Sequence, residues 1–309
     1  MTTPAPTFGR MTQPAGTPPD PNEMDALLER ACDLLQTGEF DRGDRDLIGQ
    51  MIEGLGDTRG MMRLQFAETL GKGVGEAAVP QLMEALASHE NPVVRRASAK
   101  TLTLIRDPRA IPTLVNAFLN DEDTVVKGSS IGALADTGKP SVPVLLEILS
   151  DTNQPESIKG HAAWALGVIG SDAADELFKA AGSEMDDVRQ AAVGAIAGIA
   201  REKKDERAIA TLVAALDDGN TEVRLEAASA LGEVQSAAAR PKLLEHLADS
   251  DSDVRKGMAL ALMKVGDRDT VPILKEVLEK EVDPNIKRIM ALAVSQLQNR
   301  LGITDLEED

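Results

Sequence analysis

The stretch Thr221 to Gly232, TEVRLEAASALG, recurs along the chain, and this recurrence limits the fold more than any other feature of the sequence. Aligned on the basic residue that follows an apolar one, the copies carry Arg63, Arg95, Lys127, Lys159, Arg189, Arg224, Arg255 and Lys287, at spacings of 32, 32, 32, 30, 35, 31 and 32 residues. Within a copy the apolar residues fall at i, i+4, i+7, i+8 and i+11, as in Ile158, Ala162, Ala165, Leu166 and Ile169. That is one stripe of an amphipathic helix and not the alternation of a strand. A second pattern follows every copy but the last, seen in VPQLMEAL, IPTLVNAF, VPVLLEIL and VPILKEVL. Its proline suits a first helical turn, where no backbone donor is lost and φ is already set, so Pro80, Pro112, Pro143 and Pro272 each predict the start of a second helix. A helix pair of this size cannot bury its own stripe, and stacked neighbours supply the cover. The expected fold is all-α, an α-α superhelix of seven full repeats with caps.

Residues 1–22 hold six prolines and almost no periodic apolar residues, which predicts a disordered tail. Residues 23–56 predict two helices, Glu23 to Leu35 and Arg42 to Leu55, as an N-terminal cap that departs from the consensus. The repeats are expected over 57–298, and 299–309 reads as an acidic C-terminal tail. Leads such as DDGNTEVR and DSDSDVR offer N-cap oxygens and acidic charge to the first helices. The dipeptides Leu70-Gly71, Leu166-Gly167 and Leu231-Gly232 read as helix ends, and REKKDER, Arg201 to Arg207, as a lengthened turn.

With 51 acidic against 33 basic side chains the net charge is −18, which repels phosphate backbones and acidic membrane surfaces. Five Phe, one Trp and no Tyr leave few platforms on which bases could stack. Nucleic acid is therefore not an expected partner, and a protein with a basic patch is. No apolar run approaches the roughly 20 residues of a membrane span, no signal peptide is legible, and the single Cys32 excludes an internal disulfide or a CxxC metal site. These features predict a cytoplasmic protein without a metal.

If the second helices line an inner curve, the residue four after the aligned proline position forms a column there: Glu84, Asn116, Glu147, Lys179, Ala214, Glu245 and Glu276. The column leans acidic and is the candidate protein-binding surface. His89, His161 and His246 read as surface or packing residues, because His89-Glu90 has no second His-Glu pair to complete a two-metal site. Cys32 reads as a buried structural thiol. His161 and Trp164, on one first helix, are candidate ligand contacts, with Trp164 the one large amphipathic aromatic. No phosphate loop or triad signature is present, so no catalytic residue is nominated.

The copies VRLEAASALGEV and IKGHAAWALGVIG, taken with the proline-started second helices of the consensus, resemble HEAT-like repeats of the phycobilin lyase type. RRASAKTLTLIRDPRAIPTLVNAFLNDEDTVVKGSSIGAL and KGHAAWALGVIG are similar to a cyanobacterial group related to the E/F-type bilin lyases, which includes a partner of an A-type iron-sulfur carrier. The resemblance covers residues 57–298 and implies a protein-binding scaffold or, alternatively, a lyase or lyase subunit that joins an open-chain tetrapyrrole to a phycobiliprotein cysteine. The implied partners are a phycobiliprotein subunit, a second HEAT-repeat lyase subunit or the iron-sulfur carrier. No resident cofactor is implied, a bilin entering as substrate, and attachment by this chain alone is not expected. Lys179 and Glu147 are the expected cation and carboxylate for such a ligand.

Overall fold

The computed structural model describes residues 20–303, and among them every regular element is helical. The chain divides between Thr137 and Gly138 into two compact units. In the first, α1 (Pro21–Thr37) and α2 (Arg45–Glu53) precede the pairs α3 (Gly60–Glu68) with α4 (Val79–Ser88) and α5 (Pro92–Ile105) with α6 (Ile111–Asn120), and then α7 (Thr124–Thr137). First helices stack on first helices, α3 on α5 and α5 on α7, while α4 packs on α5 and α6 on α7. Phe66, Leu70, Leu82, Leu102, Phe118 and Ile131 fill the interior without contact with water.

The second unit opens with α8 (Val142–Ser150) and continues with α9 (Glu156–Ile169), α10 (Ala174–Ala180), α11 (Asp186–Lys203), α12 (Glu206–Ala215), α13 (Thr221–Glu233), α14 (Arg240–Glu245), α15 (Ser252–Val265), α16 (Thr270–Lys280) and α17 (Pro284–Leu301). Here α9, α11, α13, α15 and α17 stack in sequence, and α8, α10, α12, α14 and α16 each pack on the first helix that follows. The small residues of the consensus decide this spacing. A side chain at Gly232 would put its Cβ 3.2 Å from the Ala261 backbone, and one at Gly71 would meet Leu104 at 2.8 Å, so only glycine lets these neighbouring helices approach. Asn220 and Asp251 cap α13 and α15 by accepting from backbone N–H groups one turn in, as the acidic and amide-rich leads predict.

The repeated basic residue is a staple. Arg189 donates through Nη1 to the carbonyls of Ser183 and Glu184, each at 3.0 Å, and through Nε and Nη2 to the Asp218 carboxylate of the next repeat at 2.8 Å. Arg95 does the same with His89, Glu90 and Asp121, and Arg255 with Asp249, Ser250 and Glu281. Arg224 donates back to Asp218 and Gly219, with Nε 3.3 Å from the Asp249 carboxylate. Each guanidinium thus satisfies loop carbonyls left behind by a second helix and ties the loop to the neighbouring repeat. The lysines manage half of this: Lys127 reaches the Leu119 carbonyl, and Lys159 pairs with Asp187.

Three expectations change. Helix α1 begins at Pro21, inside the stretch read as tail, because Asp20 caps it by accepting from the Asn22 N–H at 2.8 Å; residues 1–19 and 304–309, to which the rest of the two tails belongs, lie outside the described residues. Gly71, Gly167 and Gly232 lie within helical turns and end none of them; α9 stops instead at Gly170, whose φ of +50° reverses the chain. Finally, REKKDER is not a long turn. Arg201 to Lys203 propagate α11 to 18 residues, Lys204 ends it in the left-handed region, and Asp205 caps α12 through the Ala208 N–H.

Candidate functional site

In the second unit, α11 is recessed between its neighbours because its outward positions are glycine and alanine. The result is a trough of about 490 Å³, within the size range of ligand pockets. Gly194, Gly198 and Ala195 of α11 form the floor. Trp164 and Val168 of α9 stand along one side, each about half exposed (52% and 53%), which leaves a large apolar surface in contact with water. Gly160 and Gly167 lie on the same helix, and a side chain at either one, or at Gly198, would enter open space. All three have ordinary helical φ, so neither packing nor backbone geometry calls for glycine there. A glycine within a helix costs about 1 kcal/mol relative to alanine. These residues weaken their helices and gain an open trough.

Polar groups meet the trough at defined points. Glu226 of α13 reaches across toward α11, its Oε1 3.3 Å from where a Gly194 Cβ would stand. Among the described residues it makes no hydrogen bond or ion pair. Burial pushes its carboxyl above the usual range, and the negative charge of Glu233 adds to this against a weaker pull from Arg201. Arg201 lines the trough and pairs through Nη1 with Glu233 at 2.9 Å, an exposed contact that a ligand can exchange. Lys159 and Asp187 form a second pair on the lining. The Asp187 carboxylate holds the Lys159 ammonium above its ordinary pKa.

Of the two residues expected to meet a ligand, Trp164 lines the trough. His161 does not, although it lies on the same helix; its Nδ1 is 2.5 Å from the Ser157 carbonyl and the ring turns along the outside of α9. Glu147 and Lys179, on α8 and α10, do not line the trough, which is built from α9, α11 and α13 with Leu149 of α8; the lining carries instead Arg201 and Glu226, beside the Lys159–Asp187 pair. Glu84, Asn116, Glu147, Lys179, Ala214, Glu245 and Glu276 are all exposed on second helices. Glu245 pairs with Lys242 at 3.1 Å and Glu276 with Lys280 at 2.6 Å, which reduces the acidity of the column at those two points. Cys32 is half-buried, with Sγ 3.9 Å from Thr69 Oγ1. His89 Nε2 is 3.5 Å from Glu53, and His246 lies between Asp217 and Asp249. No group of three or more potential metal ligands converges among the described residues, and no helix there is long and apolar enough to cross a membrane.

The family model for HEAT repeats matches residues 48–135, 118–197, 142–223 and 209–295. The bilin biosynthesis protein MpeU of Synechococcus sp. strain WH8020 is 40% identical over 278 residues, which cover 89% of this chain and 93% of that protein. The chain belongs to the phycobilin lyase-like family of HEAT-repeat proteins. A second family member, the phycocyanobilin lyase subunit alpha of a Picosynechococcus strain, is 37% identical over 91 residues, covering 27% of this chain and 34% of that one. Among solved structures, Kap95p in its complex with RanGDP matches 93% of this chain and 47% of its own, with 14% identity and a TM-score of 0.51; the two share a fold. Within this lyase-like family member, the trough residues Glu226, Arg201 and Val168 escape a reading of the sequence. The one available signal is that three successive repeats carry paired glycines within their first helices, Gly128 and Gly132, Gly160 and Gly167, and Gly194 and Gly198, the last two pairs being those at the trough.

Proposed function

We propose that this protein serves the attachment of open-chain tetrapyrroles to phycobiliproteins, as a HEAT-repeat subunit that holds the bilin in the α9–α11–α13 trough and docks a protein partner on its second helices. The observation that carries the reading is the trough itself: a long, shallow, glycine-floored surface with an exposed indole on one side and a guanidinium and a carboxyl in reach. A linear tetrapyrrole is a curved conjugated ribbon with two propionates and a row of pyrrolic nitrogens, and it needs an apolar face, a cation and a hydrogen-bond acceptor. The relative named for bilin biosynthesis supports this ligand and favours a phycobiliprotein over an iron-sulfur carrier as the protein partner.

Attachment also needs the partner that carries the acceptor thiol, and a relative of this chain is named as the alpha subunit of its lyase, one part of a larger assembly. The chain is therefore assigned bilin holding, with covalent transfer requiring a second HEAT-repeat subunit. The test is to mix the purified protein with phycocyanobilin and an apo-phycobiliprotein, with and without such a subunit, and to read zinc-induced fluorescence on a denaturing gel. Bilin should bind the chain alone, and a covalent adduct should form only with the second subunit present. Stoichiometric attachment by the chain alone would overturn the division of labour, and failure to bind bilin under any condition would overturn the reading.

A further inference from the structure

Among the ionisable groups that line the trough, one is both half-buried and without a hydrogen bond or ion pair among the described residues. Most carboxylates near the surface of the second unit have a partner: Asp218 and Glu281 accept from the staples, Asp187 from Lys159, Asp217 from Lys242 and His246, Glu176 from Lys139. Glu226 is half-buried yet has none. Arg201, the nearest cation, is taken by Glu233. Across from Glu226 stands Gly194, whose missing side chain is what allows the carboxyl to lie over α11; a Cβ there would already be tight against it at 3.3 Å. A desolvated carboxyl with no internal partner destabilises a folded chain, and its retention beside an open trough fits a role as an acceptor for a donor that arrives from outside.

Resting on the bilin reading above, we propose that Glu226 accepts hydrogen bonds from the pyrrolic N–H groups of the bound tetrapyrrole, while Arg201 exchanges Glu233 for a bilin propionate. The geometry gives each its part. Glu226 reaches over the floor where the middle of a ribbon lying along α11 would pass, whereas Arg201 is near the C-terminal end of α11, beyond Gly198, where a peripheral carboxylate would extend. Trp164 and Val168 cover the face of the ribbon and carry no charge, so they contribute affinity without choosing a protonation state. A carboxylate against the pyrrole nitrogens favours the form of the ligand with all four nitrogens protonated, which has a stronger and red-shifted long-wavelength band.

The experiment titrates the full-length protein with phycocyanobilin and with its dimethyl ester, following absorbance. Glu226→Gln should weaken binding of both ligands about tenfold or more and lose the red-shifted band, because a neutral amide cannot stabilise the added proton. Glu226→Asp should keep part of that band. Arg201→Gln should weaken the free acid by a similar factor, leave the ester unchanged and leave the spectrum intact. Thermal melting of Glu226→Gln serves as the folding control and should match or exceed the parent, since the change removes an unpaired charge. If Trp164→Ala and Gly198→Leu abolish binding while Glu226→Gln alters neither affinity nor spectrum, the trough stands and the role of Glu226 is overturned. If Arg201→Gln affects acid and ester alike, its pairing with a propionate is overturned. If the parent protein binds neither ligand, this assignment falls together with the reading on which it rests.

Discussion

Two glutamates of the second unit show how one side-chain type takes opposite electrostatic roles. Glu281 is buried and receives both Nε and Nη2 of Arg255, at 2.8 and 3.1 Å, and these bonds hold its carboxyl down to about 2. Its folded-state pKa is below the ordinary 4.5, so its contribution is complete above pH 4.5 and is lost as pH falls from there toward 2. Glu281→Gln should therefore lower stability by roughly 3 kcal/mol at neutral pH, as removal of one partner of a buried pair does, and urea midpoints should then depend less on pH between 4.5 and 2. An unchanged acid profile would remove the staple from the account of stability. For Glu226 the sign reverses. Its pKa is raised by burial, so the native state holds the proton more tightly than the unfolded chain, and stability falls as pH rises through the raised value. Glu226→Gln should abolish that fall, giving a variant more stable than the parent at pH 7 in the same urea series.

Glycines separate the helices into those that must touch and those that must stay apart. Gly71 and Gly232 are contact points, and Gly71→Val should cost about 1–3 kcal/mol because its Cβ would run into Leu104. Gly167 and Gly198 face open space, so Gly167→Ala should stabilise α9 by about 1 kcal/mol, raising the melting temperature, while larger residues there should block bilin. Melting curves of the two variants that shift in the same direction would contradict this division. The helices themselves were legible: period, proline and cap residues are local signals, and α4, α6, α8, α13 and α15 form where these signals place them. Glycine identity was legible but its purpose was not, because Gly232 and Gly167 share the same Leu-Gly dipeptide while one abuts Ala261 and the other meets nothing. The basic residue of the consensus was likewise plain, yet its acid lies in the next repeat, at Asp121, Asp218 or Glu281, at no constant offset. Trp164 stood out by rarity, and Glu226 is one glutamate among many until α11 is seen to sink beneath it.

On the scale of the molecule, an excess of 18 negative charges selects partners by sign. Each unit carries its share of exposed acid on second helices, Glu84 in the first and Glu147, Glu245 and Glu276 in the second, and these are the proposed docking positions. Association with a basic surface should slow as salt rises, and Glu147→Lys with Glu245→Lys should lower the on-rate more than it raises the off-rate, measurable by stopped flow with the apo-phycobiliprotein. Rates indifferent to both salt and charge reversal would move docking to another face.

The staples also make the length of the second unit adjustable by whole modules. Each arginine bonds six residues back and one loop ahead, and refers to nothing more distant. Excising residues 224–254 would join Val223 to Arg255, placing that guanidinium six positions after the Asp218 carbonyl with Glu281 still ahead of it, the same arrangement that Arg224 occupied. Such a splice should yield a soluble chain one helix pair shorter, with helicity per residue unchanged in circular dichroism. An ancestral gene obeying this rule could grow or shrink by one unit at a time without ever passing through a chain whose loops lacked their bonds.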